Sequence, residues 1–134
     1  MDWKLELVPV PVTDVDRAKR FYSEQVGFIV DHDTHISDTM RIVQLTPPGS
    51  ACSIALGTGM GVSTPGSLQG LQLVVSDIEA ARAELVGRGV EASPVQHFDG
   101  GVQVEGRGGD WNSFVFFTDP DGNSWTVQER PAGD

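Results

Sequence analysis

The stretch that decides the fold of this chain reads Phe114-Val-Phe-Phe-Thr-Asp-Pro-Asp-Gly-Asn-Ser-Trp-Thr-Val-Gln-Glu129. Two runs rich in Phe, Trp, Val and Thr, which β-strands favour, flank the turn Asp119-Pro-Asp-Gly-Asn123. Proline fixes one turn angle and glycine tolerates a positive φ, so the turn has a physical basis. Alternation places Phe114 and Phe116 on one face of the first strand. Because neither face of that strand is polar, we expect a β-hairpin that is covered on both sides.

The composition is that of an acidic globular chain. It has 134 residues, enough for one domain with a core, and a formal net charge of -10. Because the chain contains no basic cluster, the sequence argues against nucleic-acid binding and against attachment to an anionic membrane. Cys52 is its only cysteine, so no internal disulfide can form and a reducing compartment fits. With no signal-peptide pattern and no run long enough to span a bilayer, we expect a cytoplasmic protein.

The first half of the chain opens with a strand and a helix. Residues 5–12 are apolar and β-branched, but Pro9 and Pro11 cannot donate ladder hydrogen bonds, so we expect an edge strand or irregular pairing. Thr13 or Asp14 then caps a helix with apolar residues at helical spacing. Three further strands are predicted: one begins over residues 28–30, and the other two cover residues 40–45 and 52–56. A polar loop is predicted over residues 32–38.

The second half repeats the first after a glycine-rich segment. Residues 57–67 predict a linker. The pattern then restarts with a strand over 71–75, a helix capped by Ser76 and Asp77, a strand over 90–97, a glycine-rich loop over 98–111, and the closing hairpin.

One phrase occurs in both halves. Val12-Thr-Asp-Val-Asp-Arg-Ala18 matches Val75-Ser-Asp-Ile-Glu-Ala-Ala81. Each half reads as a strand, a helix and three strands, which indicates two copies of one supersecondary unit that bury a face against each other. We therefore predict a single domain over residues 1–134, with a first module at about 1–57, a linker at 58–67 and a second module at about 68–130.

This organisation resembles the vicinal-oxygen-chelate superfamily, which includes glyoxalases, bleomycin resistance proteins and extradiol dioxygenases. The resemblance is carried by the phrase Val12-Thr-Asp-Val-Asp-Arg-Ala-Lys-Arg-Phe-Tyr-Ser-Glu-Gln-Val-Gly-Phe28 and by the closing turn. It implies an α+β fold in which two βαβββ modules form a curved eight-stranded mixed sheet cup that holds a small molecule. It also implies a homodimer. The function must still come from the site.

Metal-dependent members of the superfamily place His, Gln or Glu ligands on the first and last strand of each module. The matching positions of this chain are Leu7, Ala55, Leu71 and Thr126. A divalent ion needs oxygen, nitrogen or thiolate donors, and these residues offer one hydroxyl. We therefore expect no metal and no cofactor, which speaks against the metal-dependent chemistry of the superfamily.

Other reactive side chains do not form a catalytic group in the sequence. His32 and His35 lie near aspartates, but their spacing matches no known metal-ligand set. Cys52 lacks an obvious partner base, and Tyr22 has the spacing of a packing residue. No catalytic residue is predicted.

An apolar cavity with few polar groups remains, and such cavities usually bind small molecules. The resemblance places Phe114 and Phe116 inside it. Trp111, at the end of a glycine-rich loop, would stack on the ligand, and Arg41 and Arg107 would meet a polar or acidic group. Alternatively, the phenylalanines fill a closed core. The predicted ligand-binding residues are Leu7, Pro9, Arg41, Ala55, Leu71, Leu73, Arg107, Trp111, Phe114, Phe116 and Thr126.

These observations predict metal-independent binding of a largely apolar or aromatic small molecule. We expect the function to be sequestration of an antibiotic-like natural product. The net negative charge of the chain would also suit a cationic ligand. The alternative is a lyase, isomerase or oxygenase of the same superfamily that acts without the usual metal. A third possibility is a closed domain without a ligand.

Overall fold

The computed structural model describes residues 1–58 and 64–133. These residues form two compact units, of which the first is Met1–Leu68 with the turn Asp119–Asn123. The second unit is Gln69–Thr118 with Ser124–Asp134. Residues 59–63, which belong to the predicted linker, lie outside the described part of the chain.

The first unit contains a four-stranded sheet with the order β1-β4-β3-β2. β1 runs parallel to β4, and the other neighbours are antiparallel. β1 lies at the sheet edge, as Pro9 and the nearby Pro11 predict, because an edge strand needs fewer ladder donors. The strands are β1 (Leu7–Pro9), β2 (Ile29–Ser37), β3 (Met40–Thr46) and β4 (Ser53–Thr58).

The polar loop predicted over residues 32–38 is instead most of strand β2. Its residues are largely exposed, yet β3 pairs with them along nearly their whole length. A polar segment can form an edge strand when its backbone groups pair with a neighbouring strand. Pairing with β3 therefore makes this segment a strand, although its polar side chains predicted a loop. The register shifts between Val30 and His32, which leaves Asp31 as a β-bulge.

Helix α1 (Val15–Arg20) continues into a π-helix (Phe21–Val26). The side chain of Asp14 accepts a 3.0 Å hydrogen bond from the backbone N–H of Arg17, so Asp14 is the N-cap. Gly27 ends the π-helix in the left-handed region, with a φ of 92°. The helix packs on one face of the sheet, where Val43, Leu45, Ile54 and Leu56 are buried.

The second unit contains helix α2 (Ile78–Gly87) and a five-stranded sheet with the order β5-β9-β8-β6-β7. The Asp77 side chain accepts from the backbone N–H of Ala80, which confirms Asp77 as a cap of this helix. The strands are β5 (Leu71–Val75), β6 (Gln96–Asp99), β7 (Val102–Glu105), β8 (Phe114–Thr118) and β9 (Ser124–Glu129).

The segment before the closing hairpin differs from the prediction. The strand predicted over residues 90–97 begins only at Gln96, and part of the predicted loop is β7, which pairs with β6. The connection is Gly100-Gly101, with φ values of 59° and 83°. Two adjacent positive φ angles are typical of a tight hairpin turn, and glycine adopts them without strain.

The predicted α+β class is confirmed, with strands in sheets of four and five. The fifth strand of the second sheet is β7, which lies within the loop predicted over residues 98–111. Within the described ranges, each helix is too short or too polar to cross a bilayer.

Candidate functional site

The two faces of the second sheet carry different side chains. Register partners lie on the same face of a sheet. Val115 with Val127 and Phe117 with Trp125 are buried on the face where α2 packs, which we call the helix face of the second sheet. The opposite face, called the far face of the second sheet, carries Gln72, Phe114, Phe116, Thr126 and Gln128.

Three phenylalanines on this far face are in contact. The rings of Phe114 and Phe116 stack with centroids 6.2 Å apart, and Phe98 meets Phe114 edge-on at 5.4 Å. We call Phe98, Phe114 and Phe116 the aromatic row. Phe114 and Phe116 are half-buried and Phe98 is 43% exposed, so the rings do not form a closed core. Offset stacks and edge contacts are the arrangements that aromatic rings prefer, and a flat ligand can extend them.

Leu71 and Leu73 lie on the helix face, away from the aromatic row. Their partners on β9 are Trp125 and Val127. A shift of one residue along a strand moves every side chain to the other face. The positions predicted on β5 to face the ligand were wrong by one residue. Gln72 is the β5 residue that lies beside Thr126 on the far face.

A groove of about 340 Å³ adjoins the aromatic row. Phe116 and Thr126, both predicted ligand-binding residues, line it together with Ser93 and Glu91. The hydroxyl of Ser93 accepts a 2.9 Å hydrogen bond from the backbone N–H of Phe116, which fixes the rim against β8. The groove therefore joins an aromatic wall to a few polar groups, the usual character of a small-molecule site.

Trp111 and Arg107 meet in a different groove, of about 310 Å³. Trp111 is 47% exposed and has a φ of 60°, which is strained for a residue other than glycine. Its backbone carbonyl accepts a 2.8 Å hydrogen bond from the side chain of Gln128, a far-face residue. Through this bond the loop is anchored beside the aromatic row, while Trp111 lines the groove with Arg107.

Glu129 organises the charges of this second groove. One carboxylate oxygen accepts a 2.9 Å hydrogen bond from the backbone N–H of Ile78, the first residue of α2, and the other pairs with Arg107. The N–H of Ile78 first, and Arg107 second, hold the pKa of Glu129 below its usual value. Arg107 therefore serves an ion pair in this structure, and 56% of its side chain remains exposed.

The first sheet separates its predicted ligand residues in the same way. Leu7 and Pro9 pair with Ser53 and Ala55 on the face opposite α1, which we call the far face of the first sheet. Arg41 lies on the helix side, where it binds Asp33 at 2.9 and 2.7 Å and Asp16 at 2.8 Å. Arg41 first, with Lys19, holds the pKa of Asp33 well below its usual range. The sequence suggested a ligand contact for Arg41, but the structure gives it an ion-pair network.

The sequence prediction missed a group of polar residues on the far face of the first sheet. Asp31, His32, Gln44 and Ser53 are linked there by side-chain hydrogen bonds. Simple alternation would place Asp31 and His32 on opposite faces, and only the bulge brings them together. No feature of the sequence marks the bulge.

The side chains present do not fit the metal centre that the resemblance implies. Leu7 and Ala55 have no donor atom, Thr126 has one hydroxyl, and Leu71 lies on the helix face. Over residues 1–58 and 64–133, no group of three His, Cys, Asp or Glu side chains is arranged to hold an ion.

Comparison with known proteins identifies relatives along nearly the whole chain. A sequence model of the Glyoxalase/Bleomycin resistance protein/Dioxygenase superfamily matches residues 4–127. TnmS3, an antibiotic binding protein from Streptomyces sp. CB03234, is 32% identical with a TM-score of 0.78, covering 97% of this chain and 98% of that chain. The comparison with curated proteins gave no match.

Two further solved structures are similar. A glyoxalase/bleomycin resistance protein from Streptomyces sp. CB03234 is 33% identical, with a TM-score of 0.74 over 93% of this chain and 99% of that chain. A superfamily member from Sphaerobacter thermophilus DSM 20745 is 28% identical, with a TM-score of 0.76 over 96% and 98% of the two chains. This chain belongs to the glyoxalase/bleomycin resistance protein/dioxygenase superfamily.

Proposed function

We propose that the protein binds a largely apolar or aromatic small molecule on the far face of its second sheet, without a metal ion. The aromatic row carries this proposal, because Phe114 contacts the rings of both Phe98 and Phe116 and all three keep part of their surface open to solvent. Burial of ring surface contributes roughly 25 cal/mol per Å². Each new ring contact adds roughly 0.5–1.5 kcal/mol.

The likeness to TnmS3 supports the ligand class. That protein binds an antibiotic, and the identity extends over almost the whole of both chains. We therefore propose that the ligand is an antibiotic-like natural product and that the function of the protein is to sequester it. The groove beside Phe116 and Thr126 offers room next to the row. Because the donor set does not fit a metal, we assign affinity to stacking and apolar burial.

A fluorescence titration with planar aromatic antibiotics tests the proposal. Daunorubicin is a suitable first probe, because stacking on an aromatic ring quenches its fluorescence. We expect saturable binding, and we expect Phe116→Leu and Phe114→Leu each to weaken it by roughly threefold to tenfold, since leucine keeps apolar volume but loses the ring contact. The probe should be recovered unchanged, which distinguishes binding from turnover.

The control is Ile36→Ala, which removes an exposed apolar side chain from the first unit. It should leave the affinity for each probe unchanged. The proposed site would be contradicted if the wild type, Phe114→Leu and Phe116→Leu bound every planar aromatic antibiotic tested with equal affinity.

We also propose that the protein acts as a homodimer in the cytoplasm. The superfamily resemblance supports the dimer, and the single cysteine fits a reducing compartment. Sedimentation equilibrium over a range of protein concentrations distinguishes a dimer from a monomer.

A further inference from the structure

The bulge in β2 builds a polar site that the proposed function does not use. Val30 lies opposite Leu45 and His32 opposite Gln44, so Asp31 is the additional residue. Asp31 and His32 consequently both reach Gln44, although they are neighbours in the chain. Asp31 Oδ2 lies 3.3 Å from Gln44 Nε2, and His32 Nε2 lies 3.3 Å from Gln44 Oε1. Bulges that re-aim side chains in this way are common beside binding sites.

Three hydroxyls extend the group. The Thr46 hydroxyl donates to Asp31 Oδ2, and its oxygen lies 2.7 Å from that of Ser53. Gln44 Nε2 is 3.4 Å from the Ser53 hydroxyl, and the Thr34 hydroxyl is 3.3 Å from His32 Nδ1. We call these residues the polar cluster: Asp31, His32, Thr34, Gln44, Thr46 and Ser53. Ser53 is 5% exposed and Asp31 is exposed. The cluster is therefore buried at Ser53 and open to solvent at the Asp31 carboxylate.

The hydrogen-bond directions can be assigned from the chemistry of the groups. Gln44 Oε1 only accepts, so Nε2 of His32 donates to it; in the neutral imidazole with its proton on Nε2, Nδ1 accepts from the Thr34 hydroxyl. The amide nitrogen of Gln44 donates to Asp31 and to Ser53. Because Thr46 donates to Asp31, the Ser53 hydroxyl donates to Thr46.

With His32 in this neutral form, every side-chain donor of the polar cluster is used inside it. What remains open is acceptor capacity, because Asp31 Oδ1 receives no hydrogen bond from the described residues. Two cations of the first unit, Lys19 on α1 and Arg41 on β3, do not compensate it, because both bind Asp33 on the helix side of the sheet. A site with a free carboxylate oxygen and no free donor selects groups with N–H donors and positive charge, and rejects anions.

We propose that the polar cluster binds the protonated amine or amidine of a small molecule through Asp31. Gln44 and Thr46 hold one carboxylate oxygen in place, so the other is already oriented when the ligand arrives. Charge-assisted hydrogen bonds of this kind are about twice as strong as those between neutral groups. The site lies wholly in the first unit, and the inference does not rest on the aromatic row.

Nuclear magnetic resonance of the ¹⁵N-labelled protein tests the inference with benzylammonium as the probe. We expect saturable shifts of the Gln44 side-chain amide and of the backbone amides of Asp31 and His32. Benzyl alcohol, which has the same ring without the charge, should bind at least tenfold more weakly. Asp31→Asn should weaken benzylammonium by tenfold or more, and Thr46→Val by a smaller factor, because it removes one of the groups that orient the carboxylate.

Asp38→Asn is the matched control. Asp38 is an exposed acid in the same unit, and its loss changes the net charge of the protein by the same amount. This variant should bind benzylammonium like the wild type. The inference is overturned if benzylammonium causes no saturable shift at Gln44, if benzyl alcohol binds equally well, or if Asp31→Asn and Asp38→Asn behave alike. The daunorubicin titration and this experiment can fail independently, because the polar cluster shares no residue with the aromatic row.

Discussion

Tyr22 illustrates how a single hydroxyl supports the closing turn. It is fully buried, and its hydroxyl donates a 2.7 Å hydrogen bond to Asp119. The same carboxylate accepts from the backbone N–H groups of Asp121 and Asn123 and from the Asn123 amide, which also donates to the carbonyl of Pro11. The aspartate and asparagine of the turn are thus buried structural groups. Sequence spacing identified Tyr22 as a packing residue but could not reveal its partner.

Replacing Tyr22 with Phe should destabilise the protein by about 1–2 kcal/mol, because a buried carboxylate loses a donor while the ring volume stays. Urea unfolding measures the change. Ser23→Ala is the control, since within residues 1–58 and 64–133 that half-buried hydroxyl donates to the carbonyl of Lys19 alone. Its removal should change stability by no more than about 0.5 kcal/mol. Equal effects of the two variants would refute a structural role for the Tyr22 hydroxyl.

Trp111 presents the opposite situation, a large side chain held in an unfavourable backbone conformation. Its φ of 60° favours glycine, and the indole is 47% exposed. Trp111→Gly should therefore leave stability unchanged or raise it by up to about 1 kcal/mol. Thermal melts of the ligand-free protein, with Trp111→Ala for comparison, measure this. A loss of roughly 3–5 kcal/mol would show instead that the indole fills the core.

At the scale of elements, Glu129 joins the last strand to the start of α2. The backbone N–H of Ile78 and, to a smaller degree, Arg107 lower its folded pKa below the unfolded value. A carboxyl group of this kind stabilises the fold above its unfolded pKa, and the contribution is lost as the pH falls through the folded pKa. The stabilisation should therefore be present at neutral pH and decline below about pH 4.

Glu129→Gln should lower the stability at pH 7 by about 1 kcal/mol, because a neutral amide interacts less favourably with the helix N-terminus. The difference from the wild type should shrink as the pH falls, and unfolding curves between pH 7 and pH 3 measure it. Arg107→Gln should have a smaller effect, since that side chain is largely exposed. A difference that is constant over this pH range would contradict the role of the charge.

For the whole molecule, the absence of suitable donors predicts that no divalent ion binds stoichiometrically at the superfamily positions. These positions are occupied by Leu7, Ala55, Leu71 and Thr126, whose side chains offer a single hydroxyl. After exposure to excess zinc, nickel or manganese, dialysis should therefore leave no ion at these positions. Elemental analysis decides this. One ion per chain that survives dialysis and is lost on mutation of Thr126 would show the prediction to be wrong.

The whole-molecule prediction from the sequence was successful in its class but not in its strand count. The superfamily resemblance implied the α+β class, which the structure confirms, and Asp14 and Asp77 cap the two helices as their positions indicate. The fifth strand of the second sheet was missed, although Gly100-Gly101 is a common hairpin signal. The single domain over 1–134, with its two modules and linker, stays a prediction.

By itself, the sequence determined features that depend on neighbouring residues: the caps, the closing turn, the hairpin strands, and the face shared by Phe114 and Phe116. Only the tertiary structure decided which face of β5 joins that group, where β2 bulges, and that Arg41 turns to Asp33. Strand register and bulges depend on partners that are distant in the chain. A shift of one residue reverses every side chain, so local alternation cannot determine the composition of a site built across several strands.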